Sequence, residues 1–438
     1  MKTFHKNILA GAIALTFWGY ISSTQAAVNV QCPGDVNGDA RWDLPQENEP
    51  PNTKCMHLIA GDSFAVMSDG NPLYTFGFGD KTGVLPDDVI GAGILAAEWP
   101  GPTIELDQGQ EFYLNLTNVG TVMRPDLFDP HTIHFHGFPN ASAVFDGVPE
   151  VSISINMGST LTYYYNVVEP GTYIYHCHVE ATEHMEMGML ANLYVHPAQD
   201  TTGCPSGACP VSQRGGNVNG PGGYTYNDDD GSTAWDVEKA LQLSSFDSRF
   251  HDASIFVQPL PFALLEGNYP QINGRGYPDT IIPADLPPPA DNTQPVAGHG
   301  PGKVTGNPGE ILSNGDSTQK IDSAIEVPQG DRLLLRLSNV GLDRFWTLTA
   351  MGLKMKVVGT GARMMRGIDG KNLYRTASSV HFGGGETMDV IIDTASVQQG
   401  TYFLHATEVH QMSNATQMDG GMITEIVVCD PNDTNCGQ

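Results

Sequence analysis

Short runs in which apolar and polar residues alternate, each closed by Gly, Pro or Asn, recur along this chain. Phe112, Leu114 and Leu116 alternate with Tyr113, Asn115 and Thr117, a pattern that predicts a strand with one apolar face. Thr162–Val168 and Thr172–Tyr175 predict neighbouring antiparallel strands around the turn Glu169-Pro170-Gly171.

The pattern occurs twice. Ile104–Gly120 reads IELDQGQEFYLNLTNVG and Ile325–Gly341 reads IEVPQGDRLLLRLSNVG. Gly171–His178 reads GTYIYHCH and Gly400–Thr407 reads GTYFLHAT, and each half closes with Gly-Met, at Gly188-Met189 and Gly421-Met422. Matched blocks in one order mark a duplicated domain. The expected fold class is all-β, two tandem Greek-key β-sandwiches over residues 55–197 and 250–428. Residues 1–26 read as a signal peptide, 27–54 as an N-terminal extension, 198–249 as a linker and 429–438 as a tail. A Pro/Gly-rich insertion at 283–317 interrupts the second copy.

Composition agrees with this reading. The 438 residues include 50 Gly and 30 Pro, which suits a turn-rich β protein and is ample for two cores. Lys and Arg number 21 against 49 Asp and Glu, and the net charge of −28 excludes nucleic acid as a partner, because phosphates are repelled. At the N-terminus, Lys2 and Lys6 precede an apolar run from Ile8 to Trp18 and a small-residue site at Thr24-Gln25-Ala26. That reads as a secretory signal, and no later segment approaches the length of a membrane span. The expected location is periplasmic or secreted, where disulfides form.

There are seven cysteines, so pairing leaves one over. Cys32 and Cys55, Cys204 and Cys209, and Cys429 and Cys436 are nearest neighbours, one of many pairings that six cysteines allow. The seventh, Cys177, stands between His176 and His178.

Six of the 14 histidines fall between His131 and His184, as HTIHFHG and HCHVEATEHMEMGM. In a strand, residues two apart share a face, so His134 pairs with His136, and His176 with His178, while Cys177 points the other way. Cys177, His131, His184 and Met189 then offer one thiolate, two imidazoles and a weak thioether, the donor set of a type 1 copper site. Zinc also accepts Cys and His but does not require the closing Gly-Met. His134, His136, His176 and His178 form a second, all-imidazole set. Asp35, Asn37, Asp39 and Asp43 have the spacing of a calcium loop, although Ala40 and Gln46 stand where Gly and Glu belong; calcium is a minor expectation.

With these motifs the chain resembles the multicopper oxidase family of the two-domain cupredoxin type, related to laccase-like oxidases and copper nitrite reductases. The resemblance covers both sandwiches and implies cupredoxin folds. It implies that His131, Cys177, His184 and Met189 bind type 1 copper, that His134 matches a type 2 ligand, and that His136, His176 and His178 match type 3 ligands. Cys177 and His184 stand two residues further apart than in the usual oxidase motif, which bears on the ligand loop.

In the second copy Trp346, Thr349 and Met351 replace His131, His134 and His136, while Ala406 and Thr407 replace Cys177 and His178. His405, opposite His176, is the one motif histidine retained; His381 and His410 are expected in surface or packing roles. Three readings follow. One is an exported oxidoreductase passing electrons from type 1 copper to an interfacial histidine-bound site that reduces a small oxidant, dioxygen foremost. The second is a nitrite reductase-like enzyme using His136, His176 and His405. The third is a type 1 electron carrier with a degenerate second site. The acidic balance favours a cationic reductant, a metal ion such as Cu(I), Fe(II) or Mn(II) or a basic redox protein. The resemblance also implies a homotrimer that pairs first and second copies between subunits.

Overall fold

The structure, a computed structural model, describes residues 28–44, 52–139, 141–256, 260–289, 313–433 and 436. The signal-peptide reading and most of the Pro/Gly-rich insertion lie outside the described residues. The first half contains strands β1 (Thr53–Val66), β2 (Pro72–Asp80), β3 (Ile104–Asp107), β4 (Glu111–Gly120), β5 (His134–Phe135), β6 (Thr160–Asn166), β7 (Gly171–His176) and β8 (Leu190–His196). They form two sheets, β2-β1-β4-β6 and β3-β8-β7-β5. A short ribbon follows, β9 (Gly223–Tyr224) with β10 (Ala234–Trp235).

The second half contains β11 (Val237–Phe246), β12 (Tyr269–Ile272), β13 (Ile325–Pro328), β14 (Arg332–Asn339), β15 (Trp346–Ala350), β16 (Met355–Thr360), β17 (Arg363–Met364), β18 (Arg375–Ala377), β19 (Ser379–Phe382), β20 (Thr387–Asp393), β21 (Gly400–Ala406) and β22 (Ile423–Cys429). Its sheets are β12-β11-β14-β20-β16-β17, with β18 on β16, and β13-β22-β21-β15-β19. The duplication is visible in the pairing. β1 runs parallel to β4 and antiparallel to β2, as β11 does to β14 and β12. His134 pairs with His176 across β5 and β7, and Thr349 with His405 across β15 and β21, so the two copies share one register.

Each sandwich has its own core. Phe112, Leu114 and Leu116 pack inward in the first; Leu333, Leu335, Leu337 and Trp346 do so in the second. One reading changes in three dimensions. The stretch 198–249, read as linker, carries β11, whose Leu241 and Leu243 enter the second core; turn-rich segments around it mask its alternation. The polar face of β4 is also buried rather than solvated, because the N-terminal segment lies across it. Gln31 and Asn115 exchange hydrogen bonds through backbone and side chain, and the Cys32–Cys55 disulfide fastens the segment to β1. Cys204–Cys209 and Cys429–Cys436 are the other disulfides, and Cys177 is a buried free thiol.

Under that cover His57 is fully buried, with Nε2 2.7 Å from Thr117 Oγ1. Burial, partly offset by Asp80, lowers its pKa to about 4. Unfolded, it titrates near 6.5, so the unfolded chain takes up a proton that the folded chain refuses until about pH 4. The stability contribution is complete above pH 6.5 and shrinks as pH falls through that window. Burial raises the pKa of the Asp62 and Glu98 carboxyl groups, which act in the opposite sense, so a paired comparison isolates the imidazole. The stability gap between the parent and His57→Gln is expected to narrow by roughly 2–3 kcal/mol between pH 7 and 4.5 in denaturant titrations. A gap independent of pH would refute this assignment.

The two sandwiches pack against each other through β7 and β8 of the first and β14 and β20 of the second, all interior strands of their sheets. Ser338 Oγ donates to Asn192 Oδ1 at 2.6 Å, and Thr387 Oγ1 to the Thr172 carbonyl at 2.8 Å. The fully buried Arg336 lies among Asp389, Glu238 and Thr172 and over the Tyr194 ring. All six residues of β7 are buried as a result. On β21, the equivalent strand, Gly400, Thr401 and Phe403 are exposed.

Candidate metal centre

The alternation of HCH along β7 and the turn after it sends Cys177 into the first core and its histidine neighbours to the sheet's end. His131 enters from the strand-like segment that bridges to Ile155, and His184 from the helix Ala181–Glu186. That helix takes up the lengthened Cys177–His184 spacing. Cys177 Sγ lies 3.3 Å from His184 Nδ1 and 3.8 Å from His131 Nδ1, all three side chains buried. Met189 is buried in the same core, and the Cys177 N–H donates to its carbonyl at 3.1 Å.

The electrostatics of the two imidazoles differ. Burial and the neighbouring His184 hold the His131 pKa well below 6.5, leaving it a neutral donor. Burial disfavours charge on His184 too, but the Cys177 sulfur and the Asp129 carboxylate outweigh it and raise its pKa to about 10. Asp129 Oδ2 is 3.8 Å from His184 Nε2 and leads from the buried ring towards solvent. A metal held at His184 would therefore displace a proton. Asp129 was not singled out in the sequence, because no spacing relates it to a ligand 55 positions on.

The second set is more open. His134, His136 and His176 present ring nitrogens within 4.8 Å of one another, and the His178 ring is centred 5.1 Å from that of His134. Three of these rings are oriented by carbonyl groups: His134 Nδ1 by Asp146 at 2.5 Å, His136 Nδ1 by Gly385 at 3.1 Å and His176 Nδ1 by Cys177 at 2.7 Å. A carbonyl only accepts, so each Nδ1 carries the proton and each Nε2 a lone pair. His136 Nε2 and His176 Nε2 then face each other at 2.9 Å. Two lone pairs at that distance repel unless a cation lies between the rings, so the set fits a metal. Burial lowers the pKa of His176 to about 3, which keeps its lone pair free in mildly acidic solution, and depresses that of His136 in the same direction.

His405 is elsewhere. It lies on β21 and lines a cleft of about 550 Å³ with Tyr277, Met351, Phe403, Met412 and Asp419. Among the described residues it joins no cluster of three ligand groups. Its Nδ1 is 2.8 Å from the Ala406 carbonyl, the same contact that His176 makes with Cys177. His381 stacks on Phe345 and bonds Thr347, and His410 meets Arg344; both are exposed, in keeping with surface roles.

The carboxylates of Asp35, Asp39 and Asp43 converge in the N-terminal loop. Those of Asp35 and Asp43 accept backbone N–H bonds from Gly38, Ala40, Val36 and Asn37, which orders the loop.

Multicopper oxidase sequence models match residues 88–200 and 287–432. An iron transport multicopper oxidase of Gibberella zeae is 37% identical over 101 residues, 22% of this chain. An L-ascorbate oxidase of Cucurbita pepo is 32% identical over 111 residues, 24% of this chain. The chain spans only 15% and 18% of those relatives. Among solved structures, a blue copper oxidase from Nitrosomonas europaea superposes with a TM-score of 0.57 at 22% identity, covering 86% of each chain. A copper nitrite reductase from Nitrosomonas europaea gives 0.53 at 16% identity, covering 88% of this chain and 97% of its own. These two share the two-sandwich fold with this protein. With both halves matched by the family's sequence models, the chain belongs to the multicopper oxidase family.

Proposed function

We propose that the protein is an exported, copper-dependent oxidoreductase that takes electrons from a small reductant and reduces a small oxidant, dioxygen foremost. The observation that carries this reading is the convergence of four first-domain imidazoles beside a separate Cys-His-His set. His131, Cys177, His184 and Met189 would hold a type 1 copper; His134, His136, His176 and His178 would hold type 2 and type 3 copper. Copper in those places supplies one-electron redox chemistry that the side chains lack.

The chain's own residues divide the remaining work. The apolar shell of Phe76 and Met187 around His184 and Cys177 keeps water from the first set. Cys177 joins the two sets covalently, since its peptide neighbours are His176 and His178. Asp129 offers a carboxylate between His184 and solvent, where it would attract a cationic reductant such as a metal ion or a basic redox protein.

His405 supports a site completed by a second subunit. Its anchored Nδ1 frees Nε2, and it lies on the domain-2 sheet whose domain-1 counterpart is covered within the chain. The assembly proposed is a homotrimer in which each second domain brings His405 to a neighbour's cluster. Three disulfides support export, and among the described residues no helix is long and apolar enough to cross a membrane.

Copper stoichiometry with electron paramagnetic resonance on one sample tests the reading. About four coppers per chain are expected, following the ligand sets above. About two would favour a nitrite reductase-like site of His136, His176 and His405, and about one a type 1 carrier; either result would overturn the oxidase reading.

A further inference from the structure

Two of the three carbonyl groups that orient the imidazole cluster come from the first domain. The third belongs to Gly385, in the turn between β19 and β20 of the second. The turn is held by Asn339, the asparagine of the repeated NVG block. Gly385 N–H donates to the Asn339 carbonyl at 2.8 Å, Asn339 N–H to the Glu386 carbonyl at 3.0 Å, and Asn339 Nδ2 to the Phe382 carbonyl at 3.0 Å. Glu386 Oε2 closes it by accepting from Gly383 N–H at 2.6 Å.

Gly385 meets two demands at once. Its φ of +83° lies in the left-handed region that side chains disfavour. A Cβ there would stand 2.9 Å from His136 Cε1, closer than such atoms approach in folded proteins, and a tight 3.0 Å from His136 Nδ1. The ring thus occupies the space of the missing side chain while donating to the same residue's carbonyl.

We propose that Gly385 is a positioning residue for the imidazole cluster: its carbonyl fixes the His136 tautomer, and its lack of a side chain gives the ring its place. The second domain, whose own ligand positions hold Trp346, Thr349, Met351 and Ala406, thereby sets the aim of a ligand in the first. Supporting contacts to ligand histidines typically change metal affinity 10–100-fold. A displaced His136 also loses the facing contact with His176 Nε2.

The inference rests on the copper reading of the cluster, and the test separates the two. Gly385→Ala and Gly385→Asn are loaded with copper in the full chain; Asn tolerates positive φ but carries the same Cβ. Gly370→Ala is the control, since Gly370 has a φ of +78° with nothing within 4 Å of its Cβ position. Both Gly385 variants are expected to keep the blue type 1 absorption and the thermal midpoint of the control. Each should lose cluster copper at a chelator concentration about 10–100-fold lower than the parent does, with altered type 2 resonance. Parent-like retention of cluster copper in either variant overturns the inference. Loss of blue absorption together with cluster copper, in both variants but not in the control, would make the turn a folding element and also overturn it. A parent chain with only type 1 copper would instead refute the copper reading itself.

Discussion

Cys177→Ser is expected to abolish the blue absorption completely and to reduce turnover at least about 100-fold, while copper remains at the imidazole cluster. The sulfur lies 3.3 and 3.8 Å from two imidazole nitrogens in a fully buried site, and a thiolate there supplies both the soft ligand and the intense colour. A serine hydroxyl is nearly the same size, so the core keeps its packing, but it does not ionise in this range and binds copper weakly. The cluster is expected to survive, because His176 is oriented by the backbone carbonyl of residue 177 and not by its side chain. Absorption spectroscopy and copper counting on the purified variant check both halves. A blue colour that persists would sink the type 1 assignment.

His405→Ala should have the opposite signature. Turnover is expected to fall to background while the blue absorption stays at the parent's intensity. The physical argument is the repeated contact: in both copies the histidine Nδ1 meets the carbonyl of the next residue, which commits the proton to Nδ1 and frees Nε2. In the first copy that Nε2 faces His136; in the second, among the described residues, His405 joins no cluster of ligand groups and lies on a partly exposed strand face. A ligand contributed across a subunit boundary explains both facts. Steady-state turnover, measured beside the subunit mass from light scattering, tests it. Unchanged turnover in a variant of the parent's subunit mass would sink the proposed shared site.

The two clusters of donor side chains were legible in the sequence because their geometry is local. A strand repeats every second residue, so HTIHFHG and HCH sort their histidines and Cys177 onto opposite sides without knowledge of the fold. The unpaired cysteine was legible by counting, and the degenerate second copy by aligning the GTYIYHCH and GTYFLHAT blocks. β11 was not legible, because its alternation lies among Gly- and Asp-rich turns that resemble a linker. The buried polar face of β4 was equally hidden, since the cover over Asn115 comes from Gln31, far away in the chain.

What the sequence alone determined is therefore the identity of the donors, the duplication and the free thiol, each carried by a short motif or a residue count. The tertiary structure decided everything that depends on contact between distant segments. It set Asp129 beside His184, Asp146 and Gly385 beside the imidazoles they orient, and β14 and β20 of the second domain over β7 of the first. It also left His405, among the described residues, outside any cluster of three ligand groups. The reason is physical: ligand chemistry belongs to single side chains at fixed spacing, whereas burial, tautomer and aim are set by whichever segments the two cores bring together.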